Sequence, residues 1–482
     1  MTKQTRRTFL KHTAAASAAF STFTIAGTKS SGRVIGANDT IRIGVAGINN
    51  RGNSHINAFT GQDKVEVTYL IDPDSRLFDS RSKDVAERGG KAPKCVQDIR
   101  EALEDPNLDA VSVATCNHWH SLITIWACQA GKDVYVEKPL SHNVYEGRVC
   151  VEAARKHNRI VQHGTQNRSS QGRAREIAAV QSGKYGKLLV SKGYCAKPRW
   201  SIGREPVTSP PAGLDFDLWL GPAPKQDYHG NLVHYDWHWF WDTGNGDVGN
   251  QGVHQMDIAR WAIKDATHPK SVWSLGGRFG YEDQGETPNT LLSVFDYGDT
   301  TLLFETRGLV GKNDDFPSKI TNEFYMEEGM IADGRFHPYQ GGDAERVSGG
   351  TPDEITVSDP FENFIYAMRT RRVEDLNADV EKGHYSSALC HLGNISYRLG
   401  ESVPFNKQAK SLGDNKQVVE SYEKIQDNLR AAGVNLQETN YALGRTLQFD
   451  PQSERFVGDD EANQLLTRDY RPPFVVPSPS EV

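Results

Sequence analysis

The chain has 482 residues, of which 24% are charged, a formal net charge of −7 at pH 7 and a mean hydropathy of −0.59. This length permits two or three domains, and no run approaches the roughly 18 consecutive apolar residues of a membrane span. The acidic balance argues against nucleic acid or anionic lipid as a partner. The six cysteines lack CxxC spacing, so neither a zinc site nor a disulfide scaffold is indicated.

Residues 1–38 are predicted to be an export signal and its linker. The run Thr-Arg-Arg-Thr-Phe-Leu-Lys at 5–11 is a twin-arginine pattern, and a weakly apolar, alanine-rich run follows at 13–26. The alternative is an ordinary basic amphipathic terminus. The segment contains six cations and no acid, so a chain that starts at Asp39 is more acidic by six charges. The sequence therefore predicts a periplasmic or exported protein that crosses the membrane already folded.

A glycine-rich turn opens the first predicted domain. An apolar run at 41–46 predicts a buried strand, and Gly47, Asn49, Arg51 and Gly52 lie in the turn that follows it. The spacing G-x-N-x-x-G is a dinucleotide-binding fingerprint whose middle glycine is replaced. Asparagine tolerates a left-handed backbone, but its side chain would crowd a pyrophosphate. The alternative is a plain βα turn.

Asp72 ends the second predicted strand, 65–71, and lies 20 residues after Gly52. An acid at this place receives the ribose hydroxyls of a bound dinucleotide. Because a carboxylate repels a 2′-phosphate, NAD is favoured over NADP, although Arg76 keeps NADP open. Strand, helix and strand then alternate up to residue 163, with Asn117 and His120 at the end of the third strand. This alternation predicts a parallel Rossmann sheet over residues 39–165.

Glu137, Lys138 and Pro139 follow the short apolar strand that begins at Val134. Side chains at such strand ends project into the ligand crevice, where a lysine can hydrogen-bond a substrate hydroxyl or shuttle its proton. The proline fixes the backbone that aims the lysine. Taken alone, the tripeptide indicates only a surface turn, and its position well after the glycine-rich turn of another strand is what favours a functional site.

The glycine turn, Asp72 and above all the Glu-Lys-Pro tripeptide resemble the Gfo/Idh/MocA oxidoreductases over nearly all of the chain after the signal. The resemblance implies that Lys138 works beside the nicotinamide of a bound NAD. It also implies that Gly47, Gly52 and Glu137 hold the nucleotide. The full set of candidate cofactor-binding residues is Gly47, Asn49, Arg51, Gly52, Asp72, Asn117, His120, Glu137, Lys138 and Gln166.

Residues 166–410 are predicted to form a substrate and oligomerisation domain, and residues 411–482 a segment that wraps it. Gln166 lies in a polar cluster where the two domains should meet, or in a solvated linker. Strand-like runs after Ser271 predict an α+β domain with a largely antiparallel open sheet. The exposed face of such a sheet needs a cover, and in relatives another subunit commonly provides it. A homo-oligomer is therefore expected.

The aromatic stretch 235–242 alternates tryptophan with aspartate and histidine. Such a stretch is often core, but flat apolar faces with polar neighbours also suit stacking on sugar rings. We predict substrate contacts for Trp237 and His238, and for Arg199 and Trp200 in the preceding loop.

Asn250, His254 and Asp257 are spaced to share one face of the helix predicted after a glycine-rich entry at 243–252. The resemblance implies that His254 handles the proton of the oxidised hydroxyl, together with an aspartate one turn earlier. Asn250 occupies that position and cannot carry a proton. His254 and Lys138 would then share the acid–base work, while Asn250 and Asp257 contact the substrate.

A metal site built from His234, His238, His254 and Asp257 was the weaker interpretation of these side chains, because the ligands lack a tight spacing. No metal is predicted.

The sequence therefore predicts an NAD-dependent oxidoreductase that acts on a hydroxyl of a small sugar or polyol. Free NAD is scarce outside the cytoplasm, so an exported enzyme should retain its cofactor and recycle it. Two alternatives remain open. One is redox-neutral glycoside cleavage or epimerisation, and the other is a sugar-binding protein without turnover, which Asn49 and Asn250 would favour.

Overall fold

The computed structural model describes residues 39–312, 315–405 and 412–482, so the predicted export signal lies outside the described residues. The first sheet has parallel strands in the order β3-β2-β1-β4-β5-β6. They are β1 Ile41–Ala46, β2 Val65–Ile71, β3 Lys94–Val96, β4 Ala110–Val113, β5 Asp133–Val136 and β6 Val161–His163. The order reverses between β1 and β4, and ligands of such sheets bind in the crevice at this reversal.

Helices alternate with these strands, as the sequence predicts. They are α1 Asn50–Thr60, α2 Phe78–Glu87, α3 Ile99–Leu103, α4 Asn117–Gln129 and α5 Val144–Lys156. Strands β4 and β5 are buried along their whole length, as expected for a parallel sheet that is covered on both faces. Helix α4 begins at Asn117, so Asn117 and His120, which were predicted at the end of the third strand, lie in the first turn of this helix. The predicted Rossmann fold is confirmed.

The second sheet runs in the order β14-β13-β12-β11-β7-β10-β9-β8-β16-β15, and β17 also pairs with β8. Its strands are β7 Leu188–Ala196, β8 Ser271–Gly277, β9 Thr290–Asp296, β10 Thr301–Arg307, β11 Lys319–Met326, β12 Gly329–Ala332, β13 Arg335–Pro338, β14 Glu345–Arg346, β15 Glu401–Pro404, β16 Asn440–Leu443, β17 Leu447–Asp450 and β18 Arg455–Phe456. β7 pairs with β10 in parallel, whereas its other neighbour β11 and the β8–β9–β10 strands pair antiparallel. The predicted largely antiparallel sheet is confirmed.

The remaining helices are α6 Gln171–Gln181, α7 Phe216–Leu220, α8 Val253–Ala262, α9 Pro360–Thr370, α10 Val380–Arg398, α11 Lys416–Ala431 and α12 Asp460–Gln464. One π-helical turn, Val248–Gly252, leads directly into α8. The predicted continuous helix after the glycine-rich entry therefore contains a π-helical turn, which shifts Asn250 relative to His254.

Different helices cover the two faces of the second sheet. On one face Phe304 packs in a cluster with Met256 of α8 and with residues of α10. The next residue along β10, Leu303, points to the other face and packs against Tyr422 and Ile425 of α11. The C-terminal segment also supplies β16 and β17 to the sheet. It therefore does more than wrap the domain.

Two segments from the second half of the chain complete the first domain. α9 places Phe361 against Phe59 and stacks it on Tyr135, with ring centroids 4.7 Å apart. Near the C-terminus, Phe474 and Val476 join the cluster on the opposite face of the Rossmann sheet. The sequence boundary at residue 165 remains a prediction. No helix in the described residues is long and apolar enough to cross a bilayer.

Candidate active site

A large cleft lies at the carboxyl ends of β1, β4 and β5, between the two domains. It contains about 1290 Å³ of space that protein atoms do not fill, including the solvent at its open mouth. From the first domain it is lined by residues such as Gly47 and Lys138, and from the second by Asn250, Trp237 and His238. Side chains of both domains therefore face the same cleft.

The glycine turn is shaped so that only glycine fits. Gly47 has φ +76°, and a Cβ on it would lie 2.6 Å from the backbone of Ala114. A Cβ on Gly52 would lie 1.7 Å from the carbonyl oxygen of Gly47. Asn49 has φ −77° and ψ −168°, so it is extended, which corrects the left-handed conformation expected for it. Its side chain does not cap α1, and the first amides of that helix can bind a phosphate.

Asp72 is buried at the end of β2. Its carboxylate accepts hydrogen bonds from the backbone amides of Ile48 (3.0 Å) and Asp74 (2.9 Å). Burial raises the pKa of Asp72, and these two bonds oppose that effect. Arg76 donates from Nε and Nη2 to Asp74 at 2.7 and 2.5 Å. Its guanidinium is engaged within the protein, and this favours NAD over a nucleotide with a 2′-phosphate.

Glu137 is the centre of a buried hydrogen-bond network. Its Oε1 accepts from Arg51 Nε at 2.7 Å, from Gln166 Nε2 at 3.2 Å and lies 3.1 Å from His55 Nε2. Burial alone would raise the pKa of Glu137, but the His55 bond and the charges of Arg51 and Lys138 hold it well below its ordinary value. The structure thus brings together three predicted cofactor-binding residues. The sequence analysis missed His55, which lies on the apolar face of α1 and had no predicted partner.

Lys138 bridges the two domains. Its Nζ donates to the main-chain carbonyl of Asn250 at 2.6 Å, across the cleft. Burial lowers the pKa of Lys138, and the charge of Arg51 acts in the same direction. Asn250 lies in the π-helical turn, and such turns are frequent at functional sites. The structure confirms neither catalysis nor substrate contact, but it places both residues in the cleft.

Two predicted cofactor-binding residues of α4 also have structural partners. His120 lies 2.6 Å from the carbonyl oxygen of Pro139 through Nδ1 and 3.0 Å from that of Thr115 through Nε2. Asn117 donates to Oδ1 of Asn245 at 3.0 Å. Both line the cleft. His120 therefore positions the turn that carries Lys138.

His254 and Asp257 lie on α8 and are not among the residues that line this cleft. Burial lowers the pKa of His254 to about 4, and the Lys138 charge is the next largest cause, so the two groups are neighbours. Asp257 is fully buried and accepts from Arg168 Nε at 2.9 Å and from Ser386 Oγ at 2.6 Å. The carboxylate of Asp257 is thus hydrogen-bonded to other buried side chains, and this corrects the prediction that Asp257 contacts the substrate.

The aromatic stretch forms a short 3₁₀ turn, Asp236–Trp239, on the second-domain side of the cleft. The rings of Trp237 and His238 stack with centroids 3.6 Å apart. His238 Nδ1 lies 2.5 Å from the carbonyl oxygen of Tyr235. One face of Trp237 is thus covered by the histidine. Tyr235, which the sequence analysis did not select, lines the cleft and is 45% exposed.

Arg199 and Trp200 line a separate small cavity. Arg199 Nη2 pairs with Asp247 Oδ1 at 2.6 Å, and Lys312 Nζ lies 3.5 Å from the centre of the Trp200 ring. Both side chains are therefore engaged outside the main cleft. This corrects their assignment to the substrate.

A segment of the second domain crosses the cleft beside the carboxyl end of β2, and we name residues 213–238 the strap. Leu218, Trp219 and His234 of the strap line the cleft. It is bound to the Rossmann domain by Ser75 N to Gly213 O (2.9 Å), Asp215 N to Pro73 O (2.9 Å), Trp119 Nε1 to Leu218 O (3.0 Å) and His234 Nε2 to Asp74 Oδ2 (2.8 Å). The strap therefore covers a ligand that binds in this part of the cleft.

One group in the described part of the chain has ligand atoms close enough for a metal ion: His268, His384 and Glu454. Both imidazole Nε2 atoms lie 2.8 Å from Glu454 Oε1. Arg148 donates to the same carboxylate, and its charge already occupies the place of a cation. The weaker metal-site interpretation of the sequence named His234, His238, His254 and Asp257. These side chains do not form such a group, since His234 pairs with Asp74 and Asp257 with Arg168.

Comparison with known proteins identifies the family. Residues 41–165 match the model of the GFO/IDH/MocA oxidoreductase family, NAD-binding Rossmann fold. Residues 180–278 and 423–476 match the C-terminal alpha/beta domain of the same family, and the matched segments together exceed half of the chain. The chain belongs to the Gfo/Idh/MocA oxidoreductase family. Its first domain is an NAD-binding Rossmann domain, as the resemblance implied.

The individual relatives are distant. A glycosyl hydrolase family 109 protein of Shewanella pealeana is 26% identical over 37% of this chain and 40% of its own length. A myo-inositol 2-dehydrogenase of Thermotoga maritima is 32% identical over 30% of this chain and 42% of its own. The chain thus spans about two fifths of these relatives. A solved levoglucosan dehydrogenase in complex with NADH superposes with a TM-score of 0.55 at 15% identity, over 84% of this chain and 100% of its own, and shares the fold.

Proposed function

We propose that this protein is an NAD-dependent oxidoreductase that oxidises a hydroxyl of a small sugar or polyol. The observation that carries the proposal is the contact between Lys138 Nζ and the carbonyl of Asn250, which sets an amine at the junction of the nucleotide domain and the second domain. The dehydrogenase relatives, which act on an inositol and on levoglucosan by name, support the substrate class.

The residues present fit NAD. A Cβ at Gly47 or Gly52 would clash with neighbouring backbone, so glycine at both positions permits the tight turn into α1, whose first amides can bind a pyrophosphate. When bound, the cofactor supplies the acceptor for the hydride. Lys138 holds and polarises the substrate hydroxyl, and His120 fixes the turn that aims it. Glu137 holds Arg51 beside the nucleotide.

A retained and recycled cofactor is the second part of the proposal. Export by the twin-arginine route, proposed from residues 5–11, would place the enzyme where free NAD is scarce. The strap favours retention because its hydrogen bonds to the Rossmann domain, which include those of Ser75, Trp119 and His234, must break before a nucleotide beneath it can leave. A recycled cofactor requires a second substrate that takes the hydride back, such as another carbonyl compound.

The test begins with full-length protein purified from the periplasmic fraction. We expect about one NAD per chain after acid denaturation, and absorbance of reduced nicotinamide on addition of myo-inositol or levoglucosan. Nucleotide-free protein that neither binds added NAD nor produces NADH would contradict the proposal and favour the sugar-binding alternative. Loss of nucleotide on simple dialysis, with activity restored by free NAD, would contradict retention alone.

Redox-neutral glycoside cleavage is the second candidate, and the glycosyl hydrolase family 109 relative supports it. Transient oxidation of the sugar would acidify a neighbouring C–H and allow the aglycone to leave. Release of nitrophenol from p-nitrophenyl glycosides, without net NADH and with deuterium uptake at the sugar carbon, would identify this reaction. NADH accumulation without aglycone release identifies the dehydrogenase.

A homo-oligomer is also proposed. Helix α11 already covers the central strands of the second sheet with Tyr422 and Ile425, so the outer face near β12 and β13 is the part left for another copy. His337 and Tyr339 are exposed there. Sedimentation analysis of the wild type and a Tyr339→Glu variant checks this, because only a dimer built on this face would be weakened by the charge.

A further inference from the structure

Three histidines line the cleft beside Lys138: His120, His234 and His238. Both ring nitrogens of His120 contact carbonyl oxygens and His234 pairs with Asp74, whereas His238 is only 8% exposed and lies on the same cleft wall as Trp237 and Asn250. His254, for which the family resemblance implied the proton-handling role, is not among the lining residues, although the Lys138 charge helps to lower its pKa and its Nδ1 has no hydrogen-bond partner among the described residues. His238 is therefore the lining histidine of the second domain that makes no hydrogen bond to the Rossmann domain in the described part of the chain.

The hydrogen bond of Nδ1 fixes the tautomer of His238. A carbonyl oxygen only accepts hydrogen bonds, so the 2.5 Å contact with Tyr235 O requires the proton on Nδ1. Stacking on Trp237 holds the plane of the ring. In the described part of the chain Nε2 has no hydrogen-bond partner, and it carries the lone pair. Nε2 is thus the ring nitrogen that is available to accept a proton from a ligand in the cleft.

We propose that His238 Nε2 is the acceptor of the proton from the reacting hydroxyl, with Lys138 polarising the same oxygen. The inference rests on the proposed oxidation. In that step the substrate C–H bond breaks, and its hydrogen leaves as hydride to NAD, which is reduced. The O–H bond breaks, its proton passes to Nε2, and the carbon–oxygen double bond forms. The imidazolium keeps its Nδ1–H bond to Tyr235 O.

The charges around His238 keep it neutral before the reaction. Burial lowers the pKa of His238 to about 3, and the charges of Lys138 and Arg199, followed by His120, act in the same direction. The free lone pair is therefore present throughout the physiological range. A weak base suffices, because the hydroxyl becomes a protonated carbonyl as the hydride departs, and that proton is far more acidic than an imidazolium.

The decisive variant is His238→Asn in the full-length protein. The asparagine amide can replace Nδ1–H as the donor to Tyr235 O, but it places no base at Nε2. We expect NADH formation from myo-inositol or levoglucosan to fall about 100-fold or more, NAD binding to stay unchanged, and added imidazole to restore part of the rate. The matched variant His254→Asn should lose less. The reverse order of the two variants, or no imidazole rescue, would overturn the proposal.

A second measurement does not depend on turnover. Histidine labelled with ¹⁵N should show His238, assigned by its loss in His238→Asn, as the Nδ1–H tautomer with an unprotonated Nε2 down to about pH 4. A proton on Nε2 at neutral pH would refute the assignment of the base. If the wild type produced no NADH from either polyol while this tautomer was observed, the proposed oxidation would fail and the assignment of the free lone pair would stand.

Discussion

The two walls of the cleft differ in how their polar side chains are paired. On the Rossmann wall a buried anion, Glu137, holds Arg51, His55 and Gln166 on one oxygen, with its pKa well below the ordinary value. On the second-domain wall Asn250 is neutral, burial lowers the pKa of His238 to about 3, and His238 keeps a nitrogen without a partner in the described part of the chain. Paired charges hold the side chains of the Rossmann wall in place, which suits a cofactor that stays bound. Unpaired hydrogen-bond acceptors on the second wall suit a substrate that enters and leaves in each cycle.

Lys138 joins these two walls, and its removal is expected to have the largest effect. In Lys138→Met the loss of the ammonium leaves the substrate oxygen unpolarised, and we expect at least a 10³-fold loss of NADH formation. Nucleotide should remain bound, because the glycine turn and Glu137 are intact. Rapid-mixing absorbance at the reduced-nicotinamide band measures the rate.

Lys132→Met is the matched control for that experiment. Its Nζ also donates to a main-chain carbonyl, that of Asp105 at 2.7 Å, and burial also lowers its pKa. It lies outside the cleft-lining set, so activity should persist even if stability declines. Equal loss of activity in both variants would show that general destabilisation explains the effect.

Glu137→Gln tests the charged wall. The variant leaves Lys138 and Arg51 without their buried counter-ion, which costs about 3 kcal/mol of unfolding free energy, at the lower end for broken buried pairs because Arg51 is half-exposed. NAD should bind more weakly. Because the folded pKa of Glu137 is depressed, its stabilisation is present above the unfolded value and is lost as pH falls through the folded pKa.

Urea denaturation at pH 7 and at lower pH measures this, and the difference between wild type and variant should shrink towards acid pH. Glu176→Gln serves as the comparison, since Glu176 is also buried but pairs with Arg173 on α6, away from the cleft. It should lower stability and leave NAD binding intact. An undiminished NAD affinity in Glu137→Gln would remove the cofactor role of the network.

Weakening the contact between the strap and the Rossmann domain is expected to have a smaller effect, on the rate of NAD release. His234→Gln loses the 2.8 Å contact with Asp74, and one such hydrogen bond is worth about 1 kcal/mol. We expect NAD to leave the purified protein up to tenfold faster. His229→Gln, in the same loop but without a hydrogen bond to the Rossmann domain among the described residues, should release NAD at the wild-type rate. Equal release rates in all three proteins would mean that the strap does not limit exchange.

Local spacing predicted the Rossmann wall well. Gly47, Asp72, Glu137 and Lys138 follow strands at fixed distances, and a parallel sheet brings strand ends to one edge whatever the rest of the chain does. The sequence analysis did not predict the role of His55, because its partner Glu137 is 82 residues away. A histidine on the apolar face of a helix was nevertheless a signal that a buried partner was required.

The second-domain wall was predicted less well, for two physical reasons. The 3- and 4-residue spacing of Asn250, His254 and Asp257 predicted one continuous α-helical face, but Asn250 lies in a π-helical turn that precedes the helix of the other two. No periodicity in the sequence reports such a turn. The cover of the sheet by α11 likewise depends on contacts between residues more than a hundred positions apart, such as Leu303 and Tyr422.

Asn250→Ala should have the smallest effect, and it separates the main chain of this wall from its side chain. Lys138 binds the carbonyl of Asn250, which alanine retains, so kcat should change by less than about threefold. Loss of one neutral hydrogen bond to the substrate raises KM by about fivefold, or roughly 1 kcal/mol. Gln251→Ala, one position along, should leave both constants unchanged. A large fall in kcat for Asn250→Ala alone, with an unaltered circular dichroism spectrum, would mean that the side chain itself orients the reacting hydroxyl and that the carbonyl contact with Lys138 is insufficient.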